Sequence, residues 1–183
     1  SEDEAAVEAK IDRFNKLEYE RVGVIMRANL IAVKDSDGNG DAFTTLTRKV
    51  LDKAPRAAII LITDNVDNMK AAAAACGDRK PLIPGPNAGN WPALGDLAGE
   101  VGCPLGVQFK DLDDLVEISG NLVDAGHKDM VIDTGARTMR GAFEDNVVAR
   151  RSAIKERFKP LGFPTITFPC EMTDDLMMEA LIA

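Results

Sequence analysis

The segment Asp133-Thr134-Gly135-Ala136-Arg137 carries the sharpest chemistry in the chain, because it follows the apolar run Met130–Ile132 and leads into a helical pattern. An aspartate released at the end of a buried strand can accept a hydrogen bond from a heterocycle, Gly135 permits close backbone approach, and Arg137 can clamp an anion. The same groups can instead satisfy one another, as an Asp133–Arg137 pair or as a carboxylate held by backbone amides, and the residue types leave both readings open. Thr63-Asp64-Asn65 closes the most apolar run of the chain. Its side chains either cap the following helix or enter a ligand pocket. Pro84-Gly85-Pro86-Asn87 makes a rigid turn, Asn90 is placed to cap the next helix, and Pro92 suits that helix's first turn. Trp91, the only tryptophan, is spaced from Leu94 and Leu97 as a packing residue, with an interface or cofactor-facing role as the alternative.

Other polar motifs say less. Asp35-Ser-Asp-Gly-Asn-Gly-Asp41 imitates the start of a calcium loop, but its twelfth position is Leu46 where a bidentate Glu is required, and it follows a strand-like run. It reads as a solvated turn whose glycines allow positive φ. His127 sits in a helix-to-strand connection on the amino-terminal face of the sheet and has no Cys or His neighbours in sequence, so it reads as a surface or helix-end histidine. Cys76, Cys103 and Cys170 lack the paired spacing of an iron-sulfur or zinc site, and an odd number of distant cysteines suits a reducing cytoplasm better than a disulfide framework. No glycine-rich phosphate loop, nucleophile elbow or metalloprotease motif is present, so no self-sufficient catalytic apparatus is visible.

The elements that must position these groups follow from periodicity. Val7, Ile11, Phe14 and Leu17 recur at intervals of three and four, which predicts an amphipathic helix covering one end of the core. Apolar stretches at Val22–Val33, Ala57–Ile62, Pro81–Ile83, Pro104–Val107, Met130–Ile132 and Thr165–Phe168 alternate with helical patterns at Phe43–Leu51, Val66–Cys76, Trp91–Val101, Leu112–Val123 and Arg140–Phe158. Such alternation predicts a parallel sheet covered by right-handed crossover helices, and the unbroken apolar character of 57–62 predicts a strand buried on both faces. At 183 residues the chain suits one compact domain. The expected fold is therefore α/β: a TIM-barrel-like parallel β/α domain over 1–183, incomplete, with about six of eight strands. Thr173 is the expected cap of a last helix, with Asp174 and Asp175 suiting its positive start; a chain stopping inside that helix is expected to be a fragment of a longer polypeptide. The net charge of −8 argues against a nucleic-acid or acidic-membrane surface, and no apolar run reaches the roughly 20 residues of a bilayer span. Arg140, Arg150, Arg151, Lys155, Arg157 and Lys159 nevertheless give the long helix a basic side, by default a solvated face and alternatively a docking surface.

The order of these turns carries a resemblance. Asp78-Arg-Lys-Pro-Leu-Ile83, Asn90-Trp91, Gly102-Cys-Pro-Leu-Gly-Val107, Ala125-Gly-His-Lys-Asp-Met-Val-Ile-Asp-Thr-Gly-Ala-Arg137 and Ile154-Lys-Glu-Arg-Phe-Lys-Pro-Leu-Gly-Phe-Pro164 resemble the barrel domain of the large, or gamma, subunit of the corrinoid iron-sulfur protein. That family belongs to the carbon monoxide dehydrogenase/acetyl-CoA synthase system of anaerobic one-carbon metabolism. The chain departs from it in the Pro84-Gly-Pro-Asn87 turn, where an alanine-rich turn with threonine is common, and at Thr134, where proline is usual.

The resemblance implies a full subunit with an amino-terminal 4Fe-4S domain, this barrel and a carboxyl-terminal domain binding cobalamin (a corrinoid); neither flanking module is in this sequence. It implies methyl transfer from a methyl-tetrahydropterin or methyl-tetrahydrofolate donor, through cobalt, to acetyl-CoA synthase. The implied partners are the small (delta or beta) subunit, as a heterodimer, acetyl-CoA synthase and the methyl donor enzyme, with no nucleic acid and no membrane. The barrel would serve as scaffold and docking body, and Thr63, Asn87, Trp91, Asp133 and Arg137 are the candidates to bind or shield the cofactor. Two other classes stay open at this level: an independent pterin-dependent methyltransferase using Asn87 and Asp133, and a non-catalytic β/α binding module.

Overall fold

The computed structural model describes residues 4–85, 90–108 and 112–182. In chain order the elements are α1 (Glu4–Lys16), β1 (Glu18–Arg21), β2 (Val24–Arg27), β3 (Leu30–Lys34), α2 (Gly40–Lys53), β4 (Ala58–Ile62), α3 (Val66–Cys76), β5 (Ile83–Pro84), α4 (Trp91–Val101), β6 (Leu105–Gln108), α5 (Leu112–Asp124), β7 (Met130–Asp133), α6 (Met139–Lys155), β8 (Thr165–Ile166) and α7 (Leu176–Ile182). From β3 onward each strand is followed by a helix. That order, with its parallel sheets, is the α/β arrangement expected of a partial TIM-barrel-like domain. The chain divides into two compact units, Ser1–Ile83 with Val101–Cys103, and Pro84–Glu100 with Pro104–Ala183.

In the first unit, β3 and β4 pair in parallel from Leu30↔Ala58 to Lys34↔Ile62, and Leu82 bridges Ile60 in the same sense. Ile59, Ile60 and Leu61 are consecutive and all buried, as the unbroken apolar run predicts for a strand covered on both faces. Each such side chain stabilises the fold by about 1.5–3 kcal/mol relative to exposure. Helix α2 adds Phe43, Thr47 and Val50, and α3 adds Met69, Ala72 and Ala73. Helix α1 follows the expected stripe with Ile11 buried, and Lys49 and Lys53 of α2 tie it down through Glu4 and Glu8 at 2.7–2.9 Å.

The stretch Val22–Val33 is not one strand. Val22 and Gly23 both adopt positive φ, 52° and 76°, and form the tight turn of an antiparallel β1–β2 hairpin, with Tyr19 opposite Met26. A two-residue hairpin turn of the I′ kind needs this left-handed backbone at both central residues, but such turns usually advertise it with Asn-Gly or Asp-Gly; a Val-Gly turn hides inside an apolar run.

The sheet that dominates the second unit has the order β5–β6–β7–β8, with β6–β7 parallel from Leu105↔Met130 to Gln108↔Asp133 and β7–β8 parallel through Ile132↔Thr165. Leu94 and Leu97 of α4, and Leu115, Ile118 and Leu122 of α5, are buried with Leu105, Val107 and Ile132. Helix α6 differs. It buries only the small Ala142 and Ala149 and leaves Phe143, Val147 and Ile154 exposed. At α7 the capping oxygen belongs to Asp175, which accepts from Met177 N at 2.9 Å, while Thr173 accepts from Asp175 N at 3.1 Å; the expected cap is displaced because the chain makes one further turn before the helix. Among the described residues, no helix is long and apolar enough to cross a membrane.

Candidate functional site

Asp133 is the last residue of β7, and its position is dictated by the strand it ends. Its neighbours Ile132 and Thr134 are buried with it, and Asp133 itself is only 6% exposed. A carboxylate in that setting needs donors. Gly135, at φ 72°, turns the chain back so that its own amide donates to Oδ1 at 2.9 Å and Arg137 returns to the strand end. Arg137 then donates through Nη1 to Oδ1 at 3.2 Å and through Nη2 to Oδ2 at 2.9 Å, the bidentate fork that guanidinium geometry favours.

The same guanidinium reaches the turn after β8. Its Nε lies 2.5 Å from Glu171 Oε2, and it stands 5.7 Å from the centroid of the Phe168 ring. Hydrogen bonding to Asp133, more than any other influence, raises the Arg137 pKa above its ordinary value, against desolvation. Arg137 is therefore a clamp joining two strand-end turns, and Asp133 is held both by it and by the Gly135 amide. Immediately afterwards Thr138 caps α6, accepting from Gly141 N at 3.1 Å.

A second polar cluster lies at the carboxyl ends of β3 and β4 in the first unit. Thr63 donates its hydroxyl to Asp35 Oδ2 at 2.9 Å, and Asn68 Nδ2 donates to the same oxygen at 2.8 Å. Thr63 also accepts from Asn65 N at 3.2 Å, while Asn65 itself caps α3, accepting from the amides of Asp67 and Asn68. The hydrogen bond from Asn68, assisted by Thr63 and by the amides of Gly38 and Asn39, lowers the Asp35 pKa against desolvation. Oδ1 of Asp35 is sealed from solvent and makes no hydrogen bond.

Sequence reasoning passed over Asp35 as part of a solvated turn. The correction has a simple signal: Asp35 directly follows β3 as Thr63 directly follows β4, and residues just past adjacent parallel strands share one rim. Gly40 makes room for the cluster, since a Cβ there would stand 2.4 Å from Oδ1 of Asn68.

Of the remaining candidates, Trp91 opens α4 and is half-buried, with Leu94 and Leu97 buried on the same helix as its spacing predicts. Asn87 lies outside the described residues. Thr63 belongs to the first unit and Trp91, Asp133 and Arg137 to the second; only Asp133 and Arg137 of this set touch in the contacts described. His127 precedes β7 and lies half-buried against Gly95 and Gly99 of α4.

Cys76 and Cys103 are free and buried, and Cys170 is free and exposed. Burial pushes the Cys76 thiol up to about 11 and raises Cys103 as well, disfavouring thiolate at both. Among the described residues no three His, Cys, Asp or Glu side chains gather to hold a metal ion.

Residues 1–178 match the family described as the CO dehydrogenase/acetyl-CoA synthase delta subunit. The chain is also similar to the corrinoid/iron-sulfur protein large subunit of Moorella thermoacetica, 36% identical over 87% of this chain and 36% of that protein. It is similar to the gamma subunits of the acetyl-CoA decarbonylase/synthase complex of Archaeoglobus fulgidus, 29% identical over 91% of this chain and 36% of that one, and of Methanothermobacter thermautotrophicus, 28% identical over 87% and 35%. The family description names a delta subunit, whereas these relatives are named gamma or large subunits. The chain spans about a third of the length of the curated relatives it matches.

Proposed function

Because the chain belongs to the CO dehydrogenase/acetyl-CoA synthase delta subunit family, we propose that it is the scaffold and docking domain of a corrinoid iron-sulfur methyl carrier of the gamma, or large-subunit, type. The observation that carries this reading is the similarity to large and gamma subunits over 87–91% of the chain. In the full assembly the cobalt of a corrinoid accepts a methyl group from a methyl-tetrahydropterin or methyl-tetrahydrofolate donor and passes it to acetyl-CoA synthase. The partners of this domain are the small subunit, acetyl-CoA synthase and the methyl donor enzyme. The iron-sulfur cluster and the corrinoid are assigned to the other parts of the full subunit, as the resemblance to corrinoid iron-sulfur proteins implies.

The role of this chain's own residues is positioning. Arg137 holds the turns after β7 and β8 as one rim, and Thr63 with Asp35 and Asn68 does the same after β3 and β4. Rims fixed in this way present a shaped, water-excluding surface without spending free side chains on ligation. Thr63, Trp91, Asp133 and Arg137, with Asn87, are the residues assigned to shielding the corrinoid.

The test is gentle anoxic isolation of the parent complex, with intact masses, subunit identification and cofactor absorbance. A longer chain bound to a second barrel subunit with corrinoid and iron-sulfur spectra is the expected result. A colourless, self-contained 19.7 kDa protein would overturn the reading in favour of an independent enzyme or binding module.

A further inference from the structure

The end of α6 concentrates positive charge in an acidic chain. Between positions 147 and 159 stand five basic residues, Arg150, Arg151, Lys155, Arg157 and Lys159, against the single acid Glu156, while the whole sequence carries a net charge of −8. All five are exposed, and among the described residues none of them forms an ion pair. Helix α2 makes the contrast, since its Lys49 and Lys53 are answered by Glu4 and Glu8 at 2.7–2.9 Å. The dipole of α6 accounts for Lys155 in its last turn, but the pull fades beyond that turn and does not account for Arg151 before it or Arg157 and Lys159 after it. Arg157 adds a second sign. It takes φ 53°, the left-handed position at a helix end that glycine adopts without strain, and the Phe158 amide returns past it to the Ser152 carbonyl at 3.2 Å. A turn that served only to end the helix would form more easily with glycine, and no acid among the described residues answers the guanidinium.

Val148, Arg151 and Lys155 recur at intervals of three and four on the side of α6 opposite the buried Ala142 and Ala149. From 148 to 155 this row is about 10 Å long. Val148 and Phe158, both exposed, are interleaved with the cations, so the surface is amphipathic. We propose that this face and the turn after it dock an acidic amphipathic helix of a partner protein, its carboxylates on Arg151, Lys155, Arg157 and Lys159 and its apolar side on Val148. A helix with Asp or Glu at i and i+4 presents carboxylates at the spacing of Arg151 and Lys155. Charge complementarity chooses the occupant. A nucleic acid or an anionic lipid surface meets the net charge of −8 over many of its own charges, whereas a short acidic segment feels chiefly the nearby cations, since screening sets in over about 8 Å at physiological salt. The apolar flank at Phe143, Val147 and Ile154 lies on another side of the helix and is not part of this surface. The inference deepens the docking role proposed above and rests on the chain working within a complex; the methyl chemistry does not enter it.

The test is zero-length cross-linking of the isolated parent complex with a water-soluble carbodiimide, which joins a lysine amine to a carboxylate only where the two are in contact; peptide masses identify the joined pairs. The expected result is Lys155 or Lys159 joined to an Asp or Glu of a second polypeptide, at a yield that falls at least about fivefold when salt is raised from about 0.05 to about 0.5 M. Arg151→Glu combined with Arg157→Glu, at two exposed positions outside the ion pairs of the fold, should weaken binding of that polypeptide by at least about tenfold while the thermal melt of the subunit stays in place. Unchanged binding in this double variant overturns the proposal. Cross-links from Lys155 and Lys159 confined to their own chain, or none from them while other lysines are joined across subunits, overturn it too. Binding of a DNA duplex or of phosphatidylserine vesicles that the double variant loses, with no cross-link to a second polypeptide, assigns the surface to a polyanion and overturns it equally. A cross-linked complex without corrinoid would sink the methyl-carrier reading and leave this surface standing, whereas a corrinoid complex lacking the cross-link sinks the surface alone. A chain that isolates by itself overturns both.

Discussion

Replacing Arg137 with methionine tests whether the strand-end clamp is structural. Met keeps most of the aliphatic bulk and removes the charge, so Asp133 retains only the Gly135 amide while both guanidinium bonds disappear. Breaking a buried ion pair by deleting one partner costs about 3–5 kcal/mol, because the remaining charge stays buried. Arg137 is 30% exposed and water can enter in its place, so about 2–3 kcal/mol is expected here. Asp133→Asn should cost less, about 1–2 kcal/mol, because its amide oxygen still accepts from Gly135. The double variant should cost less than the sum by about 1–2 kcal/mol, the coupling expected of residues in direct contact. Urea titration followed by Trp91 fluorescence reads this, since Trp91 is in the same compact unit as the pair. Strict additivity would refute the reasoning, and would mean that backbone amides alone hold Asp133. The same figure bears on function, because a ligand that must open the pair gives up about 2–3 kcal/mol, or roughly 30- to 150-fold in affinity. If Asp133→Asn weakens methyl transfer in the parent complex while stability is hardly changed, the carboxylate acts on the cofactor after all.

Three further outcomes are expected. Glu8 is held down to about 2 from 4.5 by hydrogen bonds from Lys53 and then Lys49; a depressed folded pKa gives stability that is complete above 4.5 and is lost as pH falls toward 2. Glu8→Gln should therefore flatten the acid loss of α1 protection, read by hydrogen exchange, across that window, and an unchanged acid profile would exclude the link. Asn65→Ala should cost about 1 kcal/mol through loss of the α3 cap, with Asn65→Asp nearly neutral in the same thermal melts; equal losses for both would point to a role other than capping. Iodoacetamide at mildly alkaline pH should modify Cys170 first, because burial raises Cys76 and Cys103; equal rates at all three, read by peptide mass, would contradict their burial.

The legible parts of the fold were those in which a single period runs uninterrupted. Ala57–Ile62 announced β4 because a strand covered on both faces has no polar alternation to disguise it, and Val66–Cys76 announced α3 because Asn65 caps it and its apolar spacing is helical. The β1–β2 hairpin stayed hidden, since hydrophobicity does not register the change of backbone hand at Val22-Gly23. At the site, the residue types were legible but their contacts were not. Asp133 and Arg137 are four residues apart beyond a strand, which allows either a ligand clamp or a mutual pair, and the contact between them forms through the backbone turn at Gly135, which the sequence does not spell out. Asp35 was missed for a related reason: its partners Thr63 and Asn68 are 28 and 33 residues away, joined to it only through the parallel pairing of β3 with β4.

Both strand-end clusters share a property that bears on the proposed scaffold role. In each, an acidic side chain just at or past a parallel strand has an oxygen held by donors from the next β/α unit or from its own turn: Asp35 by Thr63 and Asn68, Asp133 by Arg137. Under the proposed scaffold reading, groups already committed in this way would not need to reorganise when a cofactor domain approaches, and they would offer it shape and fixed dipoles. The exception is Oδ1 of Asp35, the one buried side-chain oxygen among the described residues that lacks a hydrogen bond. An unmade bond to a charged acceptor costs more than an ordinary one gains. The lowered pKa of Asp35 nevertheless shows that its donors outweigh desolvation, so Asp35→Asn should be tolerated less well than Thr63→Ala, which leaves the carboxylate the donors of Asn68 and of the Gly38 and Asn39 amides. The opposite order in paired melts would show that the carboxylate charge is not needed at that rim.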